Sequence, residues 1–358
     1  MELSVAAVLD PVRLGLSVPQ ATAMLLRWRP DAVFTTGGYV SLPIALAARV
    51  LRVPVVLWEG NAVPGRSSRV VARLAACAAA SFPQACRPLR TPCFHTGTPV
   101  RDRSGVDPLG ARRRFEVPAD SRCILLFGGS QAVARLDAAV DEALPELVGR
   151  AMVLHVTGDA AFDAALARRD RLPADLRHRY RPYPSLRDEM LEAYAAADLV
   201  VGRAGSSTIA ESTAFGLPLV VVPYPHAAGH QAANAGFVES AGAGIVIPDE
   251  EFDGAALLRA AEILADPQRH LEMSAASRAL GRPWAADAVA ELVLAVVERR
   301  QLPAAEELDR LSREGGVPGV PGAAGLPAFD EDSTGEGGAG GAAGHEDEGS
   351  PDSAGSAR

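Results

Sequence analysis

The sequence has 358 residues, is 48% hydrophobic and carries a formal net charge of −9, so it is long enough for two domains with separate cores. All 35 basic residues are arginine, which excludes chemistry that needs a lysine: Schiff bases, pyridoxal enzymes and the Walker phosphate loop. Nine acidic residues and one basic residue follow position 313. The rest of the chain is therefore nearly neutral, and its charge gives no indication of nucleic-acid binding.

The sequence contains no apolar run as long as a membrane span, and Met1–Leu16 has an acid at position 2 and no basic region. We therefore expect no membrane-spanning helix and no signal peptide, and we place the protein in the cytoplasm. The four cysteines, Cys77, Cys86, Cys93 and Cys123, form no Cys-x-x-Cys pair and have apolar or basic neighbours. They are interpreted as free buried thiols rather than as metal ligands or disulfides.

The first half of the chain alternates predicted helices and strands. Met1–Leu16 has little pattern, and Val18–Arg29 predicts an amphipathic helix. Its Leu25 and Trp28, beside arginines, suit contact with an anionic membrane surface; a core-facing stripe is the alternative. The next predicted elements are a strand at Asp31–Thr36, a helix at Pro43–Leu51, a strand at Val53–Trp58, a helix at Arg66–Ala80 and a short strand pair before Thr96. This order predicts a parallel sheet covered by helices.

The second half repeats the same alternation. Strands are predicted at Arg122–Phe127, Met152–Thr157, Leu199–Gly202, Leu219–Val222 and Gly244–Ile247. Helices are predicted at Ala132–Leu147, Asp163–Arg171, Leu186–Ala196, Ser206–Phe215, Phe252–Ala265, Gln268–Leu280 and Ala286–Leu302. Strands and helices in alternation indicate a second doubly wound domain.

The predicted domains are residues 1–103, residues 104–302, whose last helix can pack back on the first domain, and a tail over 303–358. From about Arg313 the chain consists mainly of Gly, Ala, Pro, Ser and acidic residues. Such a composition buries too little apolar surface to offset the entropy of ordering, so we expect this tail to be disordered.

Residues 195–235 contain the densest set of candidate site residues. The buried strand Leu199–Gly202 is followed by the polar turn Arg203–Thr208, which opens a helix and can bind an anion. Glu211 lies one turn into that helix, where a carboxylate can accept hydrogen bonds from sugar hydroxyls. Gln231 and Asn234 follow the next strand, so two strand ends offer polar groups to one crevice. A nucleotide with an attached ribose or sugar fits this pattern best; a purely structural glycine turn is the alternative.

Seven segments, in this order and at these distances, resemble those of the MurG family: GGYVSLP, VVLWEGNAVPG, GTPVR, LLFGGSQ, AAADLVVGRAGSSTIAE, FGLPLVVVPYP and HQAANA. The similarity covers about residues 17–300. Members of that family are peripheral-membrane glycosyltransferases on the cytoplasmic side of the cell membrane. They move N-acetylglucosamine (GlcNAc) from UDP-GlcNAc to the undecaprenyl-diphosphate-linked muramyl pentapeptide called lipid I.

The resemblance implies an α/β fold of the GT-B type, in which two Rossmann-like doubly wound domains face each other across a cleft. It implies no cofactor and no metal. The Asp-x-Asp motif of metal-dependent sugar transferases occurs only at Asp330-Glu-Asp332, inside the predicted tail. His226 and His230 are spaced like zinc ligands, but position 227 is alanine where a His-Glu-x-x-His motif has glutamate.

The resemblance also implies individual site residues. For the donor these are Ser130 and Gln131 at the phosphates, Arg203 beside them, Gly205, Ser206, Ser207 and Thr208 at the diphosphate, Glu211 at the ribose, Gln231 and Asn234 at GlcNAc, and the backbone near Arg187 at uracil. For the first domain they are Asn61 and Arg101 near the sugar and phosphates, and Tyr39 on the acceptor side. Simpler roles stay open: a solvent-facing Glu211, an interdomain ion pair for Arg101 and a turn for Asn61.

Three departures from the family pattern affect these expectations. The family's opening strand and glycine-rich loop, which ends in a histidine facing the acceptor phosphates, have no counterpart here. We therefore expect a first domain that is incomplete at its N-terminus, through either an internal start codon or a shortened paralogue. Ala132, Asp137 and His230 also replace the family's usual residues. The base that accepts the proton of the attacking hydroxyl stays unassigned, with Tyr39 the one candidate in the sequence.

Two alternative functions remain open at this point. One is a UDP-sugar-binding GT-B relative with a different reaction, either a nucleotide-sugar 2-epimerase or another glycosyltransferase. Two acidic cleft residues in the first domain would favour the epimerase, and Glu59 is the only obvious one. A truncated UDP-sugar-binding remnant without activity is the other alternative.

Overall fold

The computed structural model describes residues 5–128, 134–225, 227 and 229–316. Within these ranges the chain forms two all-parallel β-sheets, of four and six strands. Helices pack on both faces of each sheet. This is the α/β architecture of two Rossmann-like units that the sequence predicted, and the buried, continuously apolar strands are what a sheet covered on both faces requires.

The first sheet has the strand order β1-β2-β3-β4. Its strands are Val33–Thr35, Val55–Glu59, Cys77–Ala80 and Cys93–His95. Helices α1 (Val5–Trp28), α2 (Ser41–Leu51) and α3 (Arg66–Ala72) cover one face. Because all four strands are parallel, their carboxyl ends lie along one edge.

The second sheet has the order β10-β9-β8-β5-β6-β7. Its strands are, from β5 to β10, Cys123–Phe127, Met152–Val156, Tyr180–Tyr183, Leu199–Gly202, Leu219–Val221 and Gly244–Val246. Its helices are, from α4 to α11, Pro108–Arg114, Ala134–Arg150, Asp159–Asp170, Met190–Ala196, Ser206–Ala214, His230–Ser240, Gly254–Ala261 and Pro267–Leu280. The strand order reverses between β5 and β8, and ligands of such sheets bind at the carboxyl ends beside this switch point.

The last two described helices, α12 (Ala285–Val297) and α13 (Ala305–Glu314), pack on the other face of the first sheet. Leu292 of α12 and Leu308 of α13 are fully buried there in one cluster with Val56 of β2. The chain therefore returns to the first sheet after completing the second, as the sequence allowed for its last predicted helix.

Two sequence predictions of secondary structure are wrong. The helix predicted over Arg66–Ala80 ends at Ala72, and Cys77–Ala80 forms the fully buried strand β3. Alanine favours helices, but here its small side chains fit between two helical layers while β2 and β4 pair with both edges of the strand. The first helix also starts at Val5, so the apparently unpatterned Met1–Leu16 is largely helical.

The predicted start of the tail at residue 303 is also wrong. Residues 305–314 form α13, whose Leu308 and Leu311 are buried although the helix is otherwise polar. Acids in its first turn and Arg313 in its last turn suit the helix dipole. The remainder of the predicted tail, 317–358, lies outside the described residues.

The prediction that all four cysteines are free is wrong for two of them. Cys86 and Cys93 form a disulfide, with their Cα atoms 5.4 Å apart. A 3₁₀ turn at Pro83–Cys86 lies beside β4 and brings the two side chains together, which their spacing in the sequence does not reveal. Cys77 and Cys123 are free and buried as predicted, and burial raises the pKa of their thiols to about 11 and about 12.

Among the described residues, no helix combines the length and the apolar character needed to cross a bilayer.

Candidate active site

The N-terminus of α8 lies at the switch point of the second sheet. Gly202 ends β8 tightly against β5, because a Cβ at this position would lie 2.9 Å from the carbonyl oxygen of Phe127. Gly205 precedes the helix in an extended conformation (φ −70°, ψ 146°), and no side chain of the described residues caps the helix. The predicted residues Ser206, Ser207 and Thr208 form its first turn. Their backbone N–H groups are the open, partly positive donors that bind anions.

Three predicted donor-side residues meet one turn further along α8. One terminal nitrogen of Arg101 lies 3.4 Å from the Glu211 carboxylate, and the other donates to the carbonyl oxygen of Arg187. The Glu211 side chain is 15% exposed and that of Arg101 is 46% exposed. Burial, and then the neighbouring Glu211 carboxylate, raise the pKa of the Tyr194 hydroxyl. The ion pair considered for Arg101 is thus present, and it joins the segment after the first sheet to the second.

Asn61 and Asn234 connect the carboxyl ends of the two sheets. Asn234 Nδ2 donates to Asn61 Oδ1 (3.3 Å) and to the carbonyl oxygen of Ala204 (3.1 Å), while its Oδ1 accepts from the backbone N–H of Ala62 (2.8 Å). Asn234 is fully buried, and all of these bonds are used within the protein. The geometry therefore makes Asn234 a clamp between the sheets, whereas Asn61 is only half-buried.

Gln231 is held at the start of α9. Its Oε1 accepts a hydrogen bond from the backbone N–H of Tyr224 (2.9 Å), and its Nε2 has no partner within the described ranges. One residue earlier, His230 Nδ1 lies 2.8 Å from the carbonyl oxygen of Val63. The start of α9 thus contacts the loop after β2 and keeps the amide protons of Gln231 available.

Arg203, predicted beside the donor phosphates, is almost completely buried. It is 5% exposed and forms an ion pair with Asp249. Its guanidinium also lies 5.5 Å from the ring centre of Tyr224 and donates to the carbonyl oxygen of Val222. These contacts order the loop that leads from β9 to Gln231.

Tyr39 lies just before α2, on the surface of the first Rossmann-like unit. It is mostly exposed and lines an apolar groove with Met24, Val40 and Pro43. Ser130 and Gln131, predicted at the donor phosphates, lie outside the described residues.

Glu59 belongs to the site in a way that the sequence reasoning missed, since it was considered only for an epimerase. It ends β2, is 3% exposed, and its Oε1 accepts a hydrogen bond from the backbone N–H of Asn61 (2.9 Å). A Cβ added to the next residue, Gly60, would lie 3.5 Å from Ser206 Oγ. The available signal was its position as the first acid after the apolar run of β2, at the carboxyl edge of the sheet.

A partly buried polar junction joins the two halves outside the cluster around α8. Arg282 donates to His95 Nδ1 (2.9 Å) and pairs with Asp309 of α13. His95 Nε2 lies 3.2 Å from the carbonyl oxygen of Ser81. Burial, and then the charge of Arg282, lower the pKa of His95 to about 4. His95 is therefore neutral at physiological pH and serves as an acceptor for Arg282.

The described part of the chain contains no group of three or more His, Cys, Asp or Glu residues arranged to hold a metal ion. The chemistry that this site can support comes from an open helix N-terminus, arginine and amide groups. Such groups bind a diphosphate and the hydroxyls of attached sugars.

Two Rossmann-like units whose carboxyl ends meet at an uncapped helix N-terminus define a GT-B type of nucleotide-sugar enzyme. Residues 1–80 match the glycosyltransferase family 28 N-terminal domain, and residues 123–289 match the glycosyltransferase family 28 C-terminal domain. The chain belongs to this family, among the MurG transferases.

The relatives that support this assignment are similar to this chain over most of their own length. The UDP-N-acetylglucosamine–N-acetylmuramyl-(pentapeptide) pyrophosphoryl-undecaprenol N-acetylglucosamine transferase of Moorella thermoacetica is 39% identical over 80% of this chain and 80% of its own length. The same enzyme of Frankia casuarinae is 38% identical over 82% of this chain and 79% of its own. The crystal structure of Acinetobacter baumannii MurG superposes with a TM-score of 0.65 at 30% identity, over 79% of this chain and 78% of that one.

A UDP-N-acetylglucosamine 2-epimerase described as putative, from Listeria monocytogenes, has a similar architecture. Its TM-score is 0.61 at 16% identity, over 81% of this chain and 80% of that one. At this identity the likeness concerns the fold alone.

Proposed function

We propose that this protein transfers GlcNAc from UDP-GlcNAc to the 4-hydroxyl of the muramyl sugar of lipid I, which gives lipid II for peptidoglycan synthesis. The observation that carries the proposal is the uncapped N-terminus of α8 at the switch point, with Glu211, Arg101 and the carbonyl oxygen of Arg187 one turn away. Along UDP, the diphosphate requires an anion site, the ribose hydroxyls require an acceptor, and uracil requires backbone groups that hydrogen-bond with it. The three kinds of group occur here in the order in which the ligand needs them.

In this proposal the site stabilises the leaving group. The acceptor oxygen attacks the anomeric carbon of GlcNAc, the bond from that carbon to the β-phosphate oxygen breaks, and the hydroxyl proton passes to a base. Negative charge grows on UDP as the bond breaks. The first-turn N–H groups of α8 and the guanidinium of Arg101 are fixed where that charge develops, so they stabilise the transition state more than the ground state.

The sugar lies between the sheets in this account. Gln231 has a fixed amide whose Nε2 is available to donate, and Asn61 is half-buried at the facing edge. Asn234, which is fully buried and makes three hydrogen bonds within the protein, connects these two surfaces.

A transfer assay tests the proposal. Purified protein is incubated with radiolabelled UDP-GlcNAc and a lipid I analogue, and the lipid product is separated and counted. We expect lipid II analogue and UDP in equal amounts. Tight binding of UDP-GlcNAc without product would favour a binding remnant, and inversion at C2 of the sugar without any acceptor would favour the epimerase.

We also propose that the protein binds the cytoplasmic face of the cell membrane through α1 and α2. Trp28 and Leu26 of α1 and Val50 of α2 are exposed apolar residues, although Leu25, predicted with Trp28, is buried in the core. Exposed arginines flank this patch: Arg27, Arg29, Arg49 and Arg52. An apolar patch ringed by cations binds anionic lipid surfaces.

Sedimentation with lipid vesicles tests this surface. The protein should pellet with vesicles that contain an anionic phospholipid and much less with zwitterionic ones, and Trp28→Ser with Val50→Ser should reduce pelleting at least fivefold. Equal pelleting of the wild type and this double variant would contradict the proposal. Leu109→Ser, at an exposed leucine of α4, is the matched control.

A further inference from the structure

We propose that Glu59 is a positioning residue that makes the site prefer a UDP-sugar over UDP, because it fixes the orientation of the Asn61 amide. This inference rests on the donor site proposed above and adds a residue to it. Glu59 would touch no part of the substrate and would act only through Asn61.

The first step is the contact between the two residues. Glu59 Oε1 accepts hydrogen bonds from both the backbone N–H of Asn61 (2.9 Å) and its side-chain Nδ2 (3.5 Å). Because the backbone N–H of Asn61 can only donate, Glu59 Oε1 is the acceptor here, and the Asn61 amide turns its NH₂ group toward it.

The second step is the opposite side of the same amide. Asn234 Nδ2 donates to Asn61 Oδ1, and Asn234 is itself fixed by Ala62 and Ala204. Turning the Asn61 amide over would place its oxygen against the Glu59 carboxylate and its NH₂ against the NH₂ of Asn234. Both contacts would then be repulsive, so the pair Glu59 and Asn234 allows one orientation only.

These contacts leave part of the hydrogen-bonding capacity of the Asn61 amide for a ligand. One lone pair of its Oδ1 and one Nδ2 proton are unused within the described ranges, and the residue is half-buried beside Gly60, which approaches Ser206 of α8. A sugar attached to a diphosphate at α8 would meet an acceptor and a donor in known positions. UDP lacks the second sugar, the one attached to the β-phosphate, and so cannot use them.

The Glu59 carboxylate is also buried. Its Oε2 is buried and has no hydrogen-bond partner in the described part of the chain, and a buried unpaired carboxylate oxygen is destabilising. A residue present for packing alone would need no polar atom here, whereas an acceptor oxygen at this position sets the orientation of the Asn61 amide.

Two variants of Glu59 test the inference by calorimetry with UDP and with UDP-GlcNAc. Glu59→Met removes the acceptor at similar volume, so UDP-GlcNAc should bind about tenfold more weakly while UDP changes by less than twofold. Glu59→Gln keeps an acceptor oxygen toward Asn61 and should largely restore the ratio.

A double-variant cycle with Asn61→Ala checks that Glu59 acts through Asn61. The double variant should bind UDP-GlcNAc as weakly as Asn61→Ala alone. Additive losses, equal losses for both ligands, or an unchanged ratio in Glu59→Met would overturn the role of Glu59. If the wild type bound neither ligand, the proposed function would fall together with this inference, so the two failures are distinguishable.

Discussion

Replacing Glu211 with alanine is the sharpest test of the donor site by mutation. In the free protein the carboxylate lies 3.4 Å from Arg101, in a pair whose arginine is nearly half exposed. Such a pair contributes only about 0–1 kcal/mol to stability, so the fold should tolerate the change. Hydrogen bonds from two ribose hydroxyls to the same carboxylate would contribute about 1–3 kcal/mol to binding. We therefore expect UDP to bind about 5- to 150-fold more weakly to Glu211→Ala.

Titration calorimetry with two ligands separates the ribose contact from a general loss of binding. Wild-type protein should bind UDP more tightly than 2′,3′-dideoxyuridine diphosphate, whereas Glu211→Ala should bind both with the same, weaker affinity. Glu239→Ala, at an exposed acid of α9, changes the net charge equally and should bind like the wild type. If Glu211→Ala bound UDP within twofold of wild type, or still distinguished the two ligands, Glu211 would not hold the ribose.

Three further predictions concern stability, each followed by thermal or urea unfolding. Gly202→Ala should destabilise the fold by about 1–3 kcal/mol, since its Cβ would lie 2.9 Å from the Phe127 carbonyl oxygen. Gly236→Ala, with open space around it in α9, should not destabilise the fold. Equal free energies of unfolding for the two variants would refute the close approach. Leu308→Ala should lower the free energy of unfolding by about 2–5 kcal/mol because Leu308 of α13 is part of the core. An unchanged free energy of unfolding would show that α13 does not pack on the core. The pKa of His95 is about 4 in the folded state, against 6.5 for the unperturbed group, so the unfolded state binds the proton more readily. The free energy of unfolding should therefore fall by up to about 3 kcal/mol as the pH decreases from 6.5 to 4. His95→Gln should remove this part of the pH dependence, and an unchanged pH dependence would contradict a histidine that is neutral in the folded state.

The sequence predicted five of the six strands of the second sheet, because these five are apolar runs bounded by glycine and polar residues. The sixth, β7 (Tyr180–Tyr183), contains an arginine and a proline and was not predicted as a strand. Among the five, Leu199–Gly202 is a strand with the predicted bounds. Strand β3 was missed for the opposite reason. Its sequence, Cys-Ala-Ala-Ala, favours a helix locally, and only the pairing with β2 and β4 makes it a strand.

The residues of the candidate site could be selected from the sequence, but their contacts could not. Spacing places Glu211 one turn into α8, yet the partner Arg101 is 110 residues away. Asn234 was predicted to face the sugar, and in the structure its side chain is buried and forms hydrogen bonds with Asn61, Ala62 and Ala204. Hydrogen-bond partners depend on the packed environment, so no local pattern reports them.

The ion pair of Arg203 with Asp249 illustrates the same limit. An arginine after a strand end suggests a phosphate ligand. The acid that pairs with Arg203 is Asp249, which comes later in the chain, after strands β9 and β10. Likewise, the disulfide between Cys86 and Cys93 depends on a single turn that places β4 beside Pro83–Cys86.

A crystal structure of the protein with UDP-GlcNAc tests the central claim most directly. The diphosphate should lie against the backbone N–H groups of Ser206–Thr208, with the ribose hydroxyls on Glu211 and GlcNAc between Asn61 and Gln231. Nucleotide bound at any other place, with the first turn of α8 unoccupied, would contradict the account.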